Sequence, residues 1–153
     1  MTVVDVGDEA PDFELRDQHA QLHRLSDHRG KDNVLLVFYP FAFTGVCTGE
    51  MTALRNELDT LHSSGTVVYA ISCDPMPSLR AFAEREGLSH SLLSDFWPHG
   101  GVSTSYGVFN EAMGAAERGS FVIDRSGVVR WLVRNELPDA RNIGDYQKAL
   151  ADL

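Results

Sequence analysis

Two short apolar runs separated by a segment of helical period constrain this chain more than any other feature. Residues 34–39 are apolar without interruption, the pattern of a strand buried on both faces. From Cys47, apolar or small residues recur at Met51, Leu54, Leu58 and Leu61, in steps of four, three, four and three, which places them along one side of a helix. Ser63-Ser64-Gly65 ends that helix, and residues 67–71 supply the second apolar run. Strand, helix and strand in that order make a parallel pair with a right-handed crossover. The fold class is therefore α/β.

The remaining elements fit around this unit. Phe13 and Leu15 alternate with polar neighbours, as do Leu22 and Leu25 across a polar turn, which predicts an N-terminal β-hairpin. Leu79, Phe82 and Ala83 mark a second helix ended by Gly87, residues 91–93 a short strand, and residues 95–101 a loop dense in breakers and aromatics. Residues 120–124 and 128–133 pair as a hairpin turning at Gly127, and residues 143–153 form a closing helix. The expectation is a mixed central sheet flanked by helices on both faces. The 153 residues carry no repeat or linker, so residues 1–153 read as a single domain.

Charge and composition narrow the function. The formal net charge is −9, with acidic residues spread along the chain, which excludes nucleic acid or an anionic membrane surface as a partner held by bulk electrostatics. No apolar run reaches the length of a membrane span and the first residues lack the form of a signal peptide, so the expected address is cytoplasmic. Two cysteines, Cys47 and Cys73, do not make a disulfide framework, and the six histidines form no metal spacing with them. No metal or cofactor is expected.

Attention falls on residues 40–50, which leave the carboxyl end of the strand 34–39, where open α/β sheets place their sites. Cys47 lies on the first turn of the following helix. Unpaired backbone N–H groups and the helix dipole favour negative charge there, so a thiol ionises more readily than a free one. The competing reading is a buried packing cysteine, because Cys47 shares the apolar side of the helix. Its neighbours favour chemistry: Pro40 restricts the chain at the strand end, Thr44 brings a hydroxyl three residues before the thiol, and Gly45 lets backbone approach a ligand.

With Pro40, Thr44 and Cys47 in this spacing, and with Ala10-Pro11-Asp12-Phe13, Asp95-Phe96-Trp97-Pro98-His99-Gly100 and Arg118-Gly119-Ser120-Phe121 elsewhere, the chain resembles the peroxiredoxins, and among them the one-cysteine AhpE type of actinobacteria. The resemblance implies a thioredoxin-like fold. It makes Cys47 the peroxidatic cysteine, with Pro40, Thr44 and Arg118 as the other active-site residues. A Cys47 thiolate would attack a peroxide oxygen and become a sulfenic acid. The substrates implied are hydrogen peroxide, organic hydroperoxides and peroxynitrite.

Glu50 either orients Arg118 or is an ordinary glutamate of a first helical turn. Trp97 and Phe96 either line the substrate mouth or pack in the core. Cys73 matches no resolving position of the family and is read as structural, the alternative being a two-cysteine enzyme in which it resolves the sulfenic acid. The resemblance implies an external thiol reductant, mycothiol with a mycoredoxin or else thioredoxin, and a homodimer. Cys-x-x-Cys oxidoreductase chemistry and copper delivery both lack their second sulfur, because the positions concerned are Glu50 and Met51. A peroxide sensor using the same Cys47 chemistry is the non-enzymatic alternative.

Overall fold

The computed structural model describes residues 4–153. In chain order these form β1 (Glu14–Arg16), β2 (Leu22–Arg24), a 3-10 turn (Leu25–His28), β3 (Asn33–Phe38), α1 (Gly45–Ser63), β4 (Thr66–Ser72), α2 (Met76–Glu86) and β5 (Ser91–Ser94). The second half contributes α3 (Gly101–Ser105), β6 (Phe109–Asn110), β7 (Ala115–Ala116), β8 (Arg118–Ile123), β9 (Val129–Asn135) and α4 (Ile143–Ala151). A seven-stranded sheet runs β2-β1-β5-β4-β3-β8-β9, and β6 pairs with β7 apart from it. β3 and β4 are parallel, with Asn33 opposite Thr66 and Phe38 opposite Ile71, and β4 and β5 are parallel as well. β8 runs antiparallel to β3 and β9, and β1 to β2 and β5. This is the mixed sheet of a thioredoxin-like fold.

The period of two in an extended chain divides the apolar side chains between two cores. Leu35, Val37, Val68, Ala70 and Val122 face α1, α2 and α4, where Cys47, Met51, Leu54, Phe82 and Tyr146 meet them. Val34, Leu36, Phe38, Tyr69, Ile71, Phe121 and Ile123 face the other way, onto Phe13, Leu15, Tyr106 and Val108. Both faces of β3 are therefore dry, as its unbroken apolar run requires. Among the described residues no helix is long and apolar enough to cross a membrane.

Two features depart from the expectation. The loop predicted over residues 95–101 is followed at once by α3, whose first turn is organised by Asp95. Its Oδ1 accepts from Val102 N at 3.0 Å, and its Oδ2 accepts from Ser103 N and Ser103 Oγ at 2.8 Å each. Gly100 enters that turn with φ 71°, and a Cβ there would run into the Phe109 ring. In addition, β8 begins at Arg118 rather than Ser120, because ladder bonds to β9 continue through Arg118 and Gly119, opposite Asn135 and Arg134.

Among the described residues two buried side chains, Tyr39 through its hydroxyl and His90 through its ring, have polar atoms without a hydrogen-bond partner. His90 is 2% exposed and neither ring nitrogen has a hydrogen-bond partner. Burial, with a smaller contribution from His62, pushes its pKa down to about 4. The depressed value means that the unfolded chain takes up a proton that the folded chain refuses. Stability is therefore lost as pH falls from the ordinary histidine value near 6.5 towards 4, by on the order of 3 kcal/mol. Replacing His90 with Leu removes two unsatisfied nitrogens and this acid sensitivity together. Urea unfolding at pH 7 should show the variant more stable by about 1–3 kcal/mol, with the advantage growing at pH 4.5.

Candidate active site

The loop between β3 and α1 sets the position of the first helical turn. Pro40 is buried at the strand end, and Ala42 N donates to Asp74 Oδ2 at 2.9 Å. That carboxylate also accepts from Ser72 Oγ at 2.7 Å, so the end of β4 holds the loop leaving β3. Phe43 adopts φ 68°, and its ring packs 5.1 Å from Phe82 with the Arg85 guanidinium 5.6 Å from its centroid. Thr44 is the N-cap of α1, with extended backbone and no side-chain capping bond. The N–H groups of Gly45, Val46 and Cys47 thus have no acceptor within the helix.

Cys47 is fully buried in this turn. Arg118, at the start of β8, brings Nη1 to 3.3 Å from Cys47 Sγ. The same Nη1 donates to Glu50 Oε1 at 2.5 Å, and Arg118 Nε donates to the Leu137 carbonyl at 2.5 Å. The guanidinium is therefore fixed from two sides. Glu50 is anchored in turn by Arg141, whose backbone N and Nε donate to Oε2 at 2.8 and 2.7 Å and whose Nη2 donates to Oε1 at 2.9 Å. Arg141 Nη1 reaches the Gly119 carbonyl at 2.8 Å and Ser120 Oγ at 3.0 Å, and Ser120 Oγ lies 2.8 Å from Tyr146 Oη on α4.

Burial pushes the Glu50 carboxyl up, but the Arg141 hydrogen bonds and the charges of Arg141 and Arg118 more than offset this and hold it below the ordinary range. It is an ionised group between two buried cations. Two guanidiniums and one carboxylate leave a single net positive charge beside the sulfur.

Of the residues singled out from sequence, Cys47, Arg118 and Glu50 meet directly, with Pro40 and Thr44 in the loop that leads to them. Thr44 makes no bond to the sulfur: its hydroxyl donates to the Phe41 carbonyl at 2.8 Å, which leaves the oxygen lone pairs as acceptors. Trp97 is neither in the core nor part of this network. It is 80% exposed, over a groove lined by Leu15 and Leu22 of the hairpin, Met76 and Pro77 of α2, and Phe96. The turn bonds Gly100 N to Asp95 O and His99 Nδ1 to Phe96 O close the loop against the sheet and leave that indole outside.

Arg141, Ser120 and Asp74 escaped the sequence reading. Arg141 lies in an irregular stretch with no period, and nothing in its neighbours marks it as buried. Cys73 sits against Ser103 and the Ala116 backbone, where burial and the Asp95 charge push its thiol up to about 11. Among the described residues no group of three or more His, Cys, Asp or Glu side chains is placed to hold a metal ion.

Glu50→Gln leaves two buried guanidiniums without their counter-charge, and the expected loss is about 3 kcal/mol at pH 7. Because the folded carboxyl titrates below its ordinary value, its contribution is present above about pH 4.3 and is lost as pH falls through the folded value. Chemical unfolding of both proteins should show the gap closing towards pH 3. A gap independent of pH would mean that the charge is not what Glu50 supplies.

Residues 6–132 match the AhpC/TSA family. Over 151 residues the chain is 48% identical to alkyl hydroperoxide reductase E of Mycobacterium tuberculosis, with 99% of each chain covered. It is 34% identical to the chloroplastic 2-Cys peroxiredoxin BAS1 of Spinacia oleracea, covering 97% of this chain and 59% of that one. Among solved structures, the reduced 2-Cys peroxiredoxin of Plasmodium vivax superposes with TM-score 0.87 at 29% identity, over 99% of this chain and 81% of that one. Peroxidoxin BcpB of M. tuberculosis superposes with TM-score 0.83 at 31% identity, over 97% and 95%. With its fold and most of its length matched in this way, the chain belongs to the AhpC/TSA family, the peroxiredoxins.

Proposed function

We propose that this peroxiredoxin, a thiol-dependent peroxidase, works through Cys47 as its nucleophile and an external thiol as its reductant. The observation that carries the assignment is the Arg118 Nη1 contact to Cys47 Sγ at 3.3 Å, in a guanidinium that Glu50 and the Leu137 carbonyl hold still. The sulfur attacks one peroxide oxygen, forming an S–O bond as the O–O bond breaks. The departing oxygen takes up a proton and leaves as water or an alcohol.

Arg118 and the free N–H groups of the first α1 turn face the charge that develops on the peroxide oxygens. Thr44 Oγ1, having given its hydrogen to Phe41, accepts from the peroxide hydroxyl and orients it. Pro40 closes the pocket against water.

Preorganised donors of this type contribute about 10² to 10³ each in rate. Ionising a free thiol completely at pH 7 gains at most about thirtyfold, because roughly 3% is already thiolate. Positioning therefore outweighs acidity in this site.

The sulfenic acid is reduced by an external thiol, which forms a mixed disulfide and releases water; a second thiol then frees Cys47. Mycothiol with a mycoredoxin, or thioredoxin, fits this role in an enzyme related to alkyl hydroperoxide reductase E. The substrates proposed are hydrogen peroxide, organic hydroperoxides and peroxynitrite, and the protein is taken to act as a single-domain homodimer in the cytoplasm.

Arg118→Ala should slow Cys47 oxidation by about 10² to 10³ in stopped-flow fluorescence or absorbance, a larger loss than its change in thiolate fraction explains when thiolate absorbance is titrated in parallel. A loss fully accounted for by thiolate fraction overturns the positioning argument. Mass spectrometry after one equivalent of peroxide should find Cys47 as a sulfenic acid or as an adduct of added thiol. A dominant Cys47–Cys73 disulfide would sink the one-cysteine assignment.

A further inference from the structure

Five titratable side chains form an unbroken hydrogen-bonded chain on the face of the sheet opposite Cys47. Tyr69 of β4 is at its centre, 2% exposed in the second core. His23 of β2 places Nδ1 at 3.2 Å from Tyr69 Oη, and His28, at the end of the 3-10 turn, places Nε2 at 2.5 Å from the same oxygen. Behind them, His23 Nε2 lies 2.8 Å from Asp17 Oδ2, and His28 Nδ1 lies 3.0 Å from Asp32 Oδ2. The order is Asp17, His23, Tyr69, His28, Asp32. It links the β1–β2 hairpin, the 3-10 turn and the approach to β3 onto one phenol of the central sheet.

Counting hydrogens shows that this chain is one short if both imidazoles are neutral. Asp17 accepts His19 N and Gln21 N at 2.8 and 3.0 Å through its other oxygen. Burial pushes its carboxyl up, but the His23 bond and those two amides more than offset this and hold it below the ordinary range. An ionised carboxylate only accepts, so His23 Nε2 and His28 Nδ1 carry the hydrogens that face Asp17 and Asp32. The two nitrogens facing Tyr69 are then bare, and the phenol has one hydrogen to share between them. One nitrogen meets an oxygen lone pair with nothing between.

A single added proton repairs every contact. One imidazolium donates to Tyr69 Oη, and the phenol donates to the other ring. A second added proton leaves the phenol hydrogen without an acceptor.

We infer that this cluster holds one shared proton and fastens the N-terminal hairpin to the sheet only while that proton is held, which makes it a pH-sensitive clamp outside the peroxide site. The groups around it favour the proton. Asp17, from the hairpin turn, Asp27, from the 3-10 turn, and Asp32, before β3, bring three carboxylates to the phenol. Among the described residues the neighbouring Arg16, Arg24 and Arg29 spend their hydrogen bonds on Ala20, Glu14 and Glu9. Burial, with the charges of Asp27, Asp32 and Asp17, pushes the phenol up to about 12, so Tyr69 keeps its own hydrogen at neutral pH. The Phe13 ring, edge-on at 6.3 Å, forms an apolar wall. The clamp is complete with one added proton and is released when that proton is lost.

Long-range ¹⁵N–¹H spectra of the full chain labelled in histidine distinguish an imidazolium from the two neutral tautomers. At pH 7.5 a free imidazole is about nine-tenths neutral, whereas His23 and His28 together should show one imidazolium equivalent. Release of that proton at higher pH should lower the protection of amides in residues 14–24 at least tenfold, after division by the base-catalysed intrinsic rate that rises with pH for every amide. In Tyr69→Phe the release should come at least one pH unit lower. His28→Gln, a gentler change, frees the Tyr69 hydrogen for His23 Nδ1, so His23 should be neutral at pH 7.5; peroxide reduction at pH 6 reports that the variant is folded. Two neutral rings in the unmodified protein at pH 7.5, or a folded His28→Gln whose hairpin exchange keeps the original pH dependence, would overturn the clamp.

Discussion

The Glu50 carboxylate, held between two buried guanidiniums, is the interaction on which the site depends. It accepts four hydrogen bonds, one from Arg118 and three from Arg141. Neither arginine could be buried without a counter-charge, since desolvating an unpaired guanidinium costs several kcal/mol. The three residues come from α1, the start of β8 and the segment before α4, so one carboxylate ties together parts of the chain that secondary structure alone leaves independent. Arg118 keeps Nη1 at Cys47 because Glu50 holds that same nitrogen and the Leu137 carbonyl holds Nε. The net single positive charge that remains is the complement of a thiolate, and it needs no bound ion to be present.

A second constraint fixes where α1 begins. A helix whose first turn is to present its amides to a ligand must start at a defined residue, and the loop achieves this by holding Phe43 in the left-handed region, which costs on the order of 1 kcal/mol for a residue with a Cβ. Packing of its ring on Phe82, with Arg85 over it, offsets that cost. Asp74 fixes the other side through Ala42 N. Strand end, loop and helix N-terminus therefore behave as one unit, and the sulfur is buried behind it.

The elements that carry strong periodicity were legible from residues alone: the β3–α1–β4 crossover, the hairpin around Gly127, α2 with its stop at Gly87, and the closing helix. α3 was not, because Gly-Val-Ser-Thr-Ser has no apolar period, and the helix exists through capping by the distant Asp95 rather than through its own sequence. β6 and β7 are two residues each, shorter than any pattern. Within the site, Cys47, Thr44, Pro40 and Arg118 came from motif and resemblance. Arg141 did not, since it is a lone arginine in a polar stretch whose burial follows only from where Glu50 ends up. Trp97 misled because an aromatic amid breakers suggests either a core anchor or a mouth, and here it is exposed over a groove formed by other elements.

Strand parity decides the relation between the two cysteines better than distance along the chain does. Along β8, Val122, Ser120 and Arg118 alternate onto the α1 and α4 face, which is why an arginine at the strand start reaches the Cys47 sulfur. Along β4 the same alternation sends Val68 and Ala70 to that face, and Tyr69 and Ile71 to the other. Continued past the strand end, it carries Cys73 to Ser103 and Ala116, among the groups of the second core. Asp74, next to Cys73, is spent on holding the loop that leaves β3. A disulfide needs Cα atoms within about 7 Å and Cβ vectors that face each other, whereas these two thiols start from opposite faces of the sheet. The parity that aims Arg118 at Cys47 thereby turns Cys73 towards the opposite face of the sheet.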